Sequence, residues 1–329
     1  MDVDRPAFKA VLGALVAAAC IWFLMRTVDV AELYRSLATA NLRWTAAALS
    51  AYAAGYALRI ERWRQMLARE NPELRWLDCA GPFLAGYAAN NLLPLRAGDV
   101  IRAFAFSREL AMAHGSVIAT LFIERLLDLI SLLVFLGIAI VYIGHDIPLL
   151  HGGGLLIVAV VLVAATLILR FPHWAAKIAM ACCSTIRKIS PRLGDRIQTE
   201  TQASFDCIDK LTTRRLAFKL IVLSVLIWVF EGLIFWFSAV AIPALSQPAS
   251  SLLALPAGTL ATLFPSTPGF VGTFEYPIVL AMTTFGNGAS AATAYAVHVH
   301  AVLALPSILL GTPYLLARRS HPRAAQSQI

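Results

Sequence analysis

The chain has 329 residues, 59% hydrophobic and only 14% charged, with 27 Lys and Arg against 19 Asp and Glu for a formal net charge of +8, and its mean hydropathy is +0.72. Soluble domains carry about a quarter charged residues, so this composition excludes an ordinary water-soluble fold and points to a polytopic membrane protein. The positive balance is not a nucleic-acid signal, because the basic residues collect in short stretches between apolar runs.

In chain order, the first apolar run is AFKAVLGALVAAACIWFLM, residues 7–25. Arg5 and Lys9 ahead of it mimic a signal peptide, but the run continues through Cys20 to Met25, past any cleavage point, so a retained helix is expected. Further runs occupy 116–144, 155–169, 216–242 and 291–317, most of them near or above the roughly 20 residues a helix needs to cross a bilayer. Only helices or closed barrels satisfy their backbone in lipid, and barrel strands alternate where these runs do not. The expected fold is therefore all-α, with about six full transmembrane helices. Trp22, Trp44, Trp63 and Trp76 lie near expected helix ends, as an aromatic belt would. The five cysteines show no metal-ligand spacing and, being odd in number, no disulfide framework.

Cytoplasmic loops are enriched in Lys and Arg. Ten of them lie between Arg170 and Lys219, and Arg318, Arg319 and Arg323 follow the last run, so that loop and the 318–329 tail are placed inside, as is the N-terminus. Within the loop, residues 173–215 read as a basic amphipathic linker, with Phe205, Ile208 and Leu211 at helical spacing to rest on the inner leaflet. Between Lys219 and Arg318 there is no Lys or Arg, so residues 250–288 begin and end outside. Interrupted by Pro256, Pro265 and Pro268, they read as a re-entrant hairpin. Arg59–Arg75 and Arg96–Arg108 read as basic inside stretches, which makes 79–113 a second hairpin entering from the inside. The chain thus forms one membrane domain of two halves, about 1–143 and 154–317.

LLPLRAGDV (92–100) aligns with LFPSTPGFV (263–271) as L-x-P-x-x-x-G-x-V. Pro94, Gly98, Pro265, Pro268, Gly269 and Gly272 mark the hairpin breaks. An odd number of expected crossings between the copies makes the repeat inverted. Paired Pro/Gly-broken segments of this kind point to a midplane substrate site, because freed helix ends present N–H and C=O groups to a ligand.

Charges inside apolar runs are costly and usually face a cavity or a partner. Glu124, Arg125 and Asp128 lie in LFIERLLDLI, Glu231 in IWVFEGLIFW, and Glu275 follows the second hairpin break. The cluster at 124–128 reads either as a self-neutralising lock between helices or as the wall of a transport cavity, with Arg125 and Asp128 spaced to pair. For Glu231 an ion-pair partner, a proton carrier and a ligand role stand equal, with Arg96, Arg102 and Arg125 as candidate partners. Arg96 and Arg102 are either interface anchors or a planar two-pronged grip on phosphate, with Asp99 tuning or orienting one of them, Asn90 and Asn91 adding neutral hydrogen bonds, and Ser266 and Thr267 on the opposite hairpin. His298 and His300 point to different helix faces and make a poor metal pair. No nucleotide-binding glycine loop, G-x-S-x-G or H-E-x-x-H occurs, so no catalytic set, metal or cofactor is expected.

NNLLPLRAGDVIRAF, ERLLD and PSTPGFVGTFE together resemble the three signature stretches of the flippase-like transmembrane domain of lysylphosphatidylglycerol synthases, which is shared by stand-alone, hopanoid-associated relatives. Arg96, Asp99 and Arg102 match that family's R-x-G-[DE]-x-x-R, Glu124, Arg125 and Asp128 its E-R-x-x-D, and Glu275 its closing acid. The family commonly has a double glycine where this chain has Gly269–Phe270. The resemblance implies movement of a lipid between leaflets of the bacterial inner membrane, the lipid being an anionic or aminoacylated phospholipid or a hopanoid-type lipid. The chain ends soon after its last helix, so no aminoacyl-transfer domain is expected. The rival readings are a non-catalytic partner of lipid-synthesis enzymes and a membrane-embedded lipid-modifying transferase. A second copy or a lipid-synthesis enzyme is the expected protein partner.

Overall fold

The structure is a computed structural model that describes residues 18–22, 24, 26, 28–143, 156, 159–163, 191–211, 213–262 and 267–319. Pro265, Ser266, most of the runs at 7–25 and 155–169, and the tail from 320 lie outside the described residues.

Every regular element among the described residues is helical. Helix α1 (Val30–Ala38) starts where the Asp29 side chain accepts hydrogen bonds from two first-turn N–H groups. Asn41 opens α2 (Leu42–Leu67) in the same way. Next come α3 (Trp76–Leu92), a 3-10 turn (Pro94–Arg96) and α4 (Ala97–Ile101), which continues through a π turn (Arg102–Phe106) to Glu109. The long α5 (His114–Ile143) follows, then α6 (Pro191–Leu211) and α7 (Arg214–Ala241). The second half closes with α8 (Ser251–Ala261), a turn at Pro268–Phe270, α9 (Glu275–Thr284) and α10 (Ala289–Arg319).

Three described helices are long and apolar enough to cross a membrane: His114–Tyr142, Arg214–Ala241 and Ala289–Ala317. The arms of the broken segments are shorter. Helices α8 and α9 have 11 and 10 residues, about half of the roughly 20 that a crossing needs.

Both breaks use the same backbone chemistry. A residue preceding proline is pushed out of helical geometry, and Leu93 before Pro94 and Thr267 before Pro268 are both extended. Left-handed residues then redirect the chain: Arg96 (φ 55°) in the first break, and Gly269 (φ 64°), Phe270 (φ 59°) and Gly272 (φ 83°) in the second.

Helix α7 packs along α2, α10 along α3, and α5 against α8. Overlaying the halves so that α2 matches α7, α3 matches α8 and α5 matches α10 maps the α2–α7 contact onto itself. It also maps α3–α10 onto α8–α5. The exchange thus pairs helices of like position in the two parts of the chain. Among the described residues two large apolar clusters result, beside a small one at Leu133 and Ile140. One surrounds Trp63, Phe83 and Phe106; the other surrounds Trp228, Phe274 and Tyr295, and Leu303 touches both.

Two expectations need correcting. Arg59 and Arg62 are not in a basic loop: α2 runs on to Leu67 and buries both, because acids on neighbouring helices pair with them. Nor does α6 rest its apolar stripe on lipid. Cys207, Ile208 and Leu211 are buried in the first cluster, with Phe205 packed on it. Glu200 Oε2 caps the start of α5 by accepting from Gly115 N–H at 2.6 Å, and Lys210 donates to Glu70 at 2.7 Å.

The hairpin of α3 and α4 closes at two glycines. A Cβ on Gly98 would fall on the carbonyl oxygen of Gly86 and against Asn90 Oδ1. Gly98→Ala is therefore expected to lower stability by about 1–3 kcal/mol, as overpacking of a tight contact does. Thermal unfolding in detergent measures it, and an unchanged Tm would contradict the close packing of these helices.

A buried arginine and carboxylate cavity

Between the two clusters lies a cavity of about 170 Å³. Its walls come from both halves. Helix α2 contributes Tyr56 and Arg59, α3 contributes Tyr87, Asn90 and Asn91, and α5 contributes Arg125 and Asp128. Trp228 and Glu231 face it from α7, Thr259 and Thr262 from α8, and His300 from α10, with Arg96, Gly269 and Phe270 at the breaks. Helical spacing sets these faces. Tyr52, Tyr56 and Arg59 follow an i, i+4, i+7 pattern on α2, and Ser224, Trp228 and Glu231 repeat it on α7.

The charges form three knots. In the first, Arg102 grips Glu124 with two parallel hydrogen bonds of 3.1 and 2.9 Å, and the two side chains are 0% and 1% exposed. The guanidinium also lies against the rings of Trp63 and Phe83, 4.3 and 4.6 Å from their centroids. Both side chains are sealed by these neighbours, and neither Arg102 nor Glu124 lines the cavity. Arg102 is removed from the expected headgroup contacts for that reason.

The second knot centres on Asp128. It accepts from Arg62 at 2.8 Å and from the Trp228 indole at 3.4 Å, with Arg59 at 3.7 Å and Arg125 at 3.8 Å. Arg62 also donates to Ser224 at 2.9 Å. Arg59 donates to Glu231 at 3.1 Å, so the partner of Glu231 is neither Arg96, Arg102 nor Arg125. Helices α2, α5 and α7 are tied together here.

The third knot joins the first break to α5. Asp99 pairs with Arg125 at 3.0 Å and with Arg96 Nε at 3.4 Å, and Asn90 donates to it at 3.2 Å. Arg96 also donates to the Thr262 carbonyl at 3.1 Å, a group freed where α8 ends. The Asn91 carbonyl lies 3.2 Å from where a Cβ on Gly269 would sit, so the two breaks touch. Asn91 itself donates to Tyr87 O and Ser307 Oγ. Opposite them, the Gly272 N–H donates to Glu275 Oε2 at 2.7 Å, and His300 Nδ1 meets Glu275 Oε1. The partner of Glu275 is therefore a histidine and not an arginine.

Among the expected headgroup residues, Asn90, Asn91 and Arg96 line the cavity, and Asp99 orients Asn90 and Arg96. The Thr267 hydroxyl turns away to the Val271 carbonyl at 3.0 Å. Arg59, Arg62 and His300 were missed. The i, i+4, i+7 face on α2 could have drawn Arg59 into view. His300 was weighed only as a metal ligand beside His298, whose Nε2 instead meets Thr45 Oγ1 at 3.0 Å on another face.

Removing one partner of a buried ion pair leaves an uncompensated charge and costs about 3–5 kcal/mol, whereas an apolar replacement of both is often tolerated. Arg102→Ala is thus expected to be strongly destabilising. The double variant Arg102→Met with Glu124→Leu should recover most of the loss in chemical unfolding. Equal instability of both would show that the pair does more than hold α4 on α5.

Comparison with known proteins adds two findings. A 136-residue stretch is 29% identical to a protein of Haloferax volcanii described as glycosyltransferase AglD, covering 40% of this chain and 21% of that protein. The match thus spans about a fifth of that relative's length. The family described as lysylphosphatidylglycerol synthase TM region matches residues 10–311, nearly the whole chain, which contains all three charge knots and both breaks. The chain belongs to the lysylphosphatidylglycerol synthase transmembrane-region family.

Proposed function

We propose that the protein moves a phosphate-bearing lipid between the leaflets of a bacterial inner membrane, by passing its headgroup through the cavity. The observation that carries this reading is the wall itself: Arg59, Arg96 and Arg125 face a small space bounded by both chain breaks, whose wall is otherwise largely apolar. At about 170 Å³ the cavity holds a headgroup fragment but no acyl chains. Large apolar side chains stand exposed beside the breaks (Leu92, Leu93, Val100, Phe104 and Val271), a surface along which tails would stay in lipid. Arg96 and Arg125 would grip phosphate through their planar forks, while Arg59 exchanges between Asp128, Glu231 and the ligand.

In this reading the two broken segments are re-entrant hairpins of an inverted repeat. About six helices cross fully, with both termini cytoplasmic. Rocking one half against the other would expose the cavity to each leaflet in turn, and the protein has no chemical step of its own. A second reading, a membrane-embedded transferase, rests on the printed name of the Haloferax relative. The geometry gives it less support, because Asp128 and Glu231 are already tied to arginines and poorly placed as bases.

The test is lipid scrambling in proteoliposomes carrying trace fluorescent phospholipid, read with a membrane-impermeant quencher. The wild type is expected to equilibrate label between leaflets. Arg96→Ala should slow it roughly tenfold or more, since a hydrogen bond to a charged group is worth about 1.5–3 kcal/mol. Vesicles with folded wild-type protein that behave like empty ones, across anionic and zwitterionic lipids, would overturn the reading.

A further inference from the structure

His300 takes no part in the three arginine knots, yet it lines the cavity. Its Nδ1 is committed to Glu275 Oε1, and the other carboxylate oxygen is held by the Gly272 N–H at 2.7 Å. The Phe274 ring packs edge-on to the imidazole at 5.1 Å. A carboxylate that accepts from backbone and imidazole together fixes the ring and its tautomer, placing the proton on Nδ1. Nε2 is the one polar ring atom left for the cavity. In the neutral ring it is a lone pair, and a lone pair repels a phosphate oxygen. Only the imidazolium carries a donor on both nitrogens.

The charge inventory points the same way. Among the described residues, five arginines (Arg59, Arg62, Arg96, Arg102 and Arg125) are linked to four carboxylates, Asp99, Glu124, Asp128 and Glu231. Glu275 is the fifth acid, paired to His300. Five charges of each sign cancel. A phosphodiester brings one negative charge into this balanced space, and a proton on His300 supplies the one positive charge that matches it.

We propose that His300, held by Glu275, contacts the phosphodiester of the headgroup through Nε2 and takes up one proton from solution as the headgroup binds. The inference rests on the headgroup reading above and adds to it that the cargo is anionic and travels with a proton. The groups that face His300 across the cavity are Tyr56 and Arg59 from α2, Tyr87 from α3, Arg125 and Asp128 from α5, and Glu231 from α7. Arg96 faces it from the first break, Glu275 from α9, and Cys20, ahead of α1, lies near Glu275. The arginines among them are compensated by the acids already named, so the balance turns on His300. Because the bound state holds the extra proton, affinity is full at low pH and is lost as pH rises. A proton gradient across the membrane would then bias the direction of lipid movement.

The experiment is titration calorimetry of the full-length protein in detergent at pH 7.5, run in two buffers of different ionisation enthalpy. The probes are dioctanoyl phosphatidylglycerol and, separately, glycerol 3-phosphate. The wild type is expected to take up close to one proton per phosphatidylglycerol bound. His300→Gln and Glu275→Gln, each with a Tm near that of the wild type, should bind several-fold more weakly with uptake near zero. Wild-type binding without proton uptake, or undiminished uptake in folded His300→Gln, would overturn the inference and leave the headgroup reading standing. Binding of glycerol 3-phosphate alone, with uptake, would keep the proton-linked phosphate contact and overturn the lipid as its source. No binding of either probe would overturn both.

Discussion

An arginine in a bilayer must be met by a carboxylate, and the packing of this protein follows from that requirement. Each charge at a helix centre costs about 2.5–3.5 kcal/mol on insertion scales, so helices carrying opposite charges are driven to share an interface. Arg59 and Arg62 on α2 draw in Asp128 of α5 and Glu231 of α7. Asp99 in α4 and Arg102, the first residue of the π turn, bind the first broken segment to Arg125 and Glu124 of α5. Apolar packing cannot set this register alone, since lipid tails are as apolar as the side chains they would leave.

The same network separates a sealed part from an open one. The Arg102–Glu124 pair is fully buried, joined by two hydrogen bonds and packed against two aromatic rings. Nearer the cavity short and long contacts mix: Arg59–Glu231 and Arg125–Asp99 close to 3.1 and 3.0 Å, whereas Arg59 and Arg125 reach Asp128 only at 3.7 and 3.8 Å, and Arg125 is 30% exposed. The long contacts to Asp128 are weak, so Arg59 and Arg125 each keep one firm partner and a loose one in Asp128. The breaks add backbone tension: Arg96 and Phe270 are both left-handed, a conformation that costs a side-chain-bearing residue roughly 1–2 kcal/mol. Phe270 stands where the resembling family commonly has a second glycine, and its ring packs on the second apolar cluster, which holds it there.

The ion pair at the centre also marks the repeat. Arg59 lies 33 residues before Leu92 and Glu231 lies 32 before Leu263, the first residues of the matched nine-residue stretches. The two side chains therefore occupy nearly equivalent places in the halves, where α2 and α7 meet. One half supplies the cation and the other the anion, so their contact is a charge pair where like residues would repel.

The sequence by itself determined the membrane character, the helical class, the two broken segments and the acids among them, because composition, proline and glycine act locally and lipid admits few alternatives. It made Asn90, Asn91, Arg96 and Arg125 visible as site residues and Arg125–Asp128 as a pair, since spacing on one helix is enough for that. Only the tertiary structure decided which charges are sealed and which are open. Arg102 and Arg96 read alike in the chain, yet Glu124 and the rings of Trp63 and Phe83 close over one, and the end of α8 leaves the other at the cavity. Partners 172 residues apart, such as Arg59 and Glu231, and the turning of His300 to Glu275, depend on how whole helices lie against one another. Electrostatic pairing acts through space, and no pattern along the chain encodes that distance.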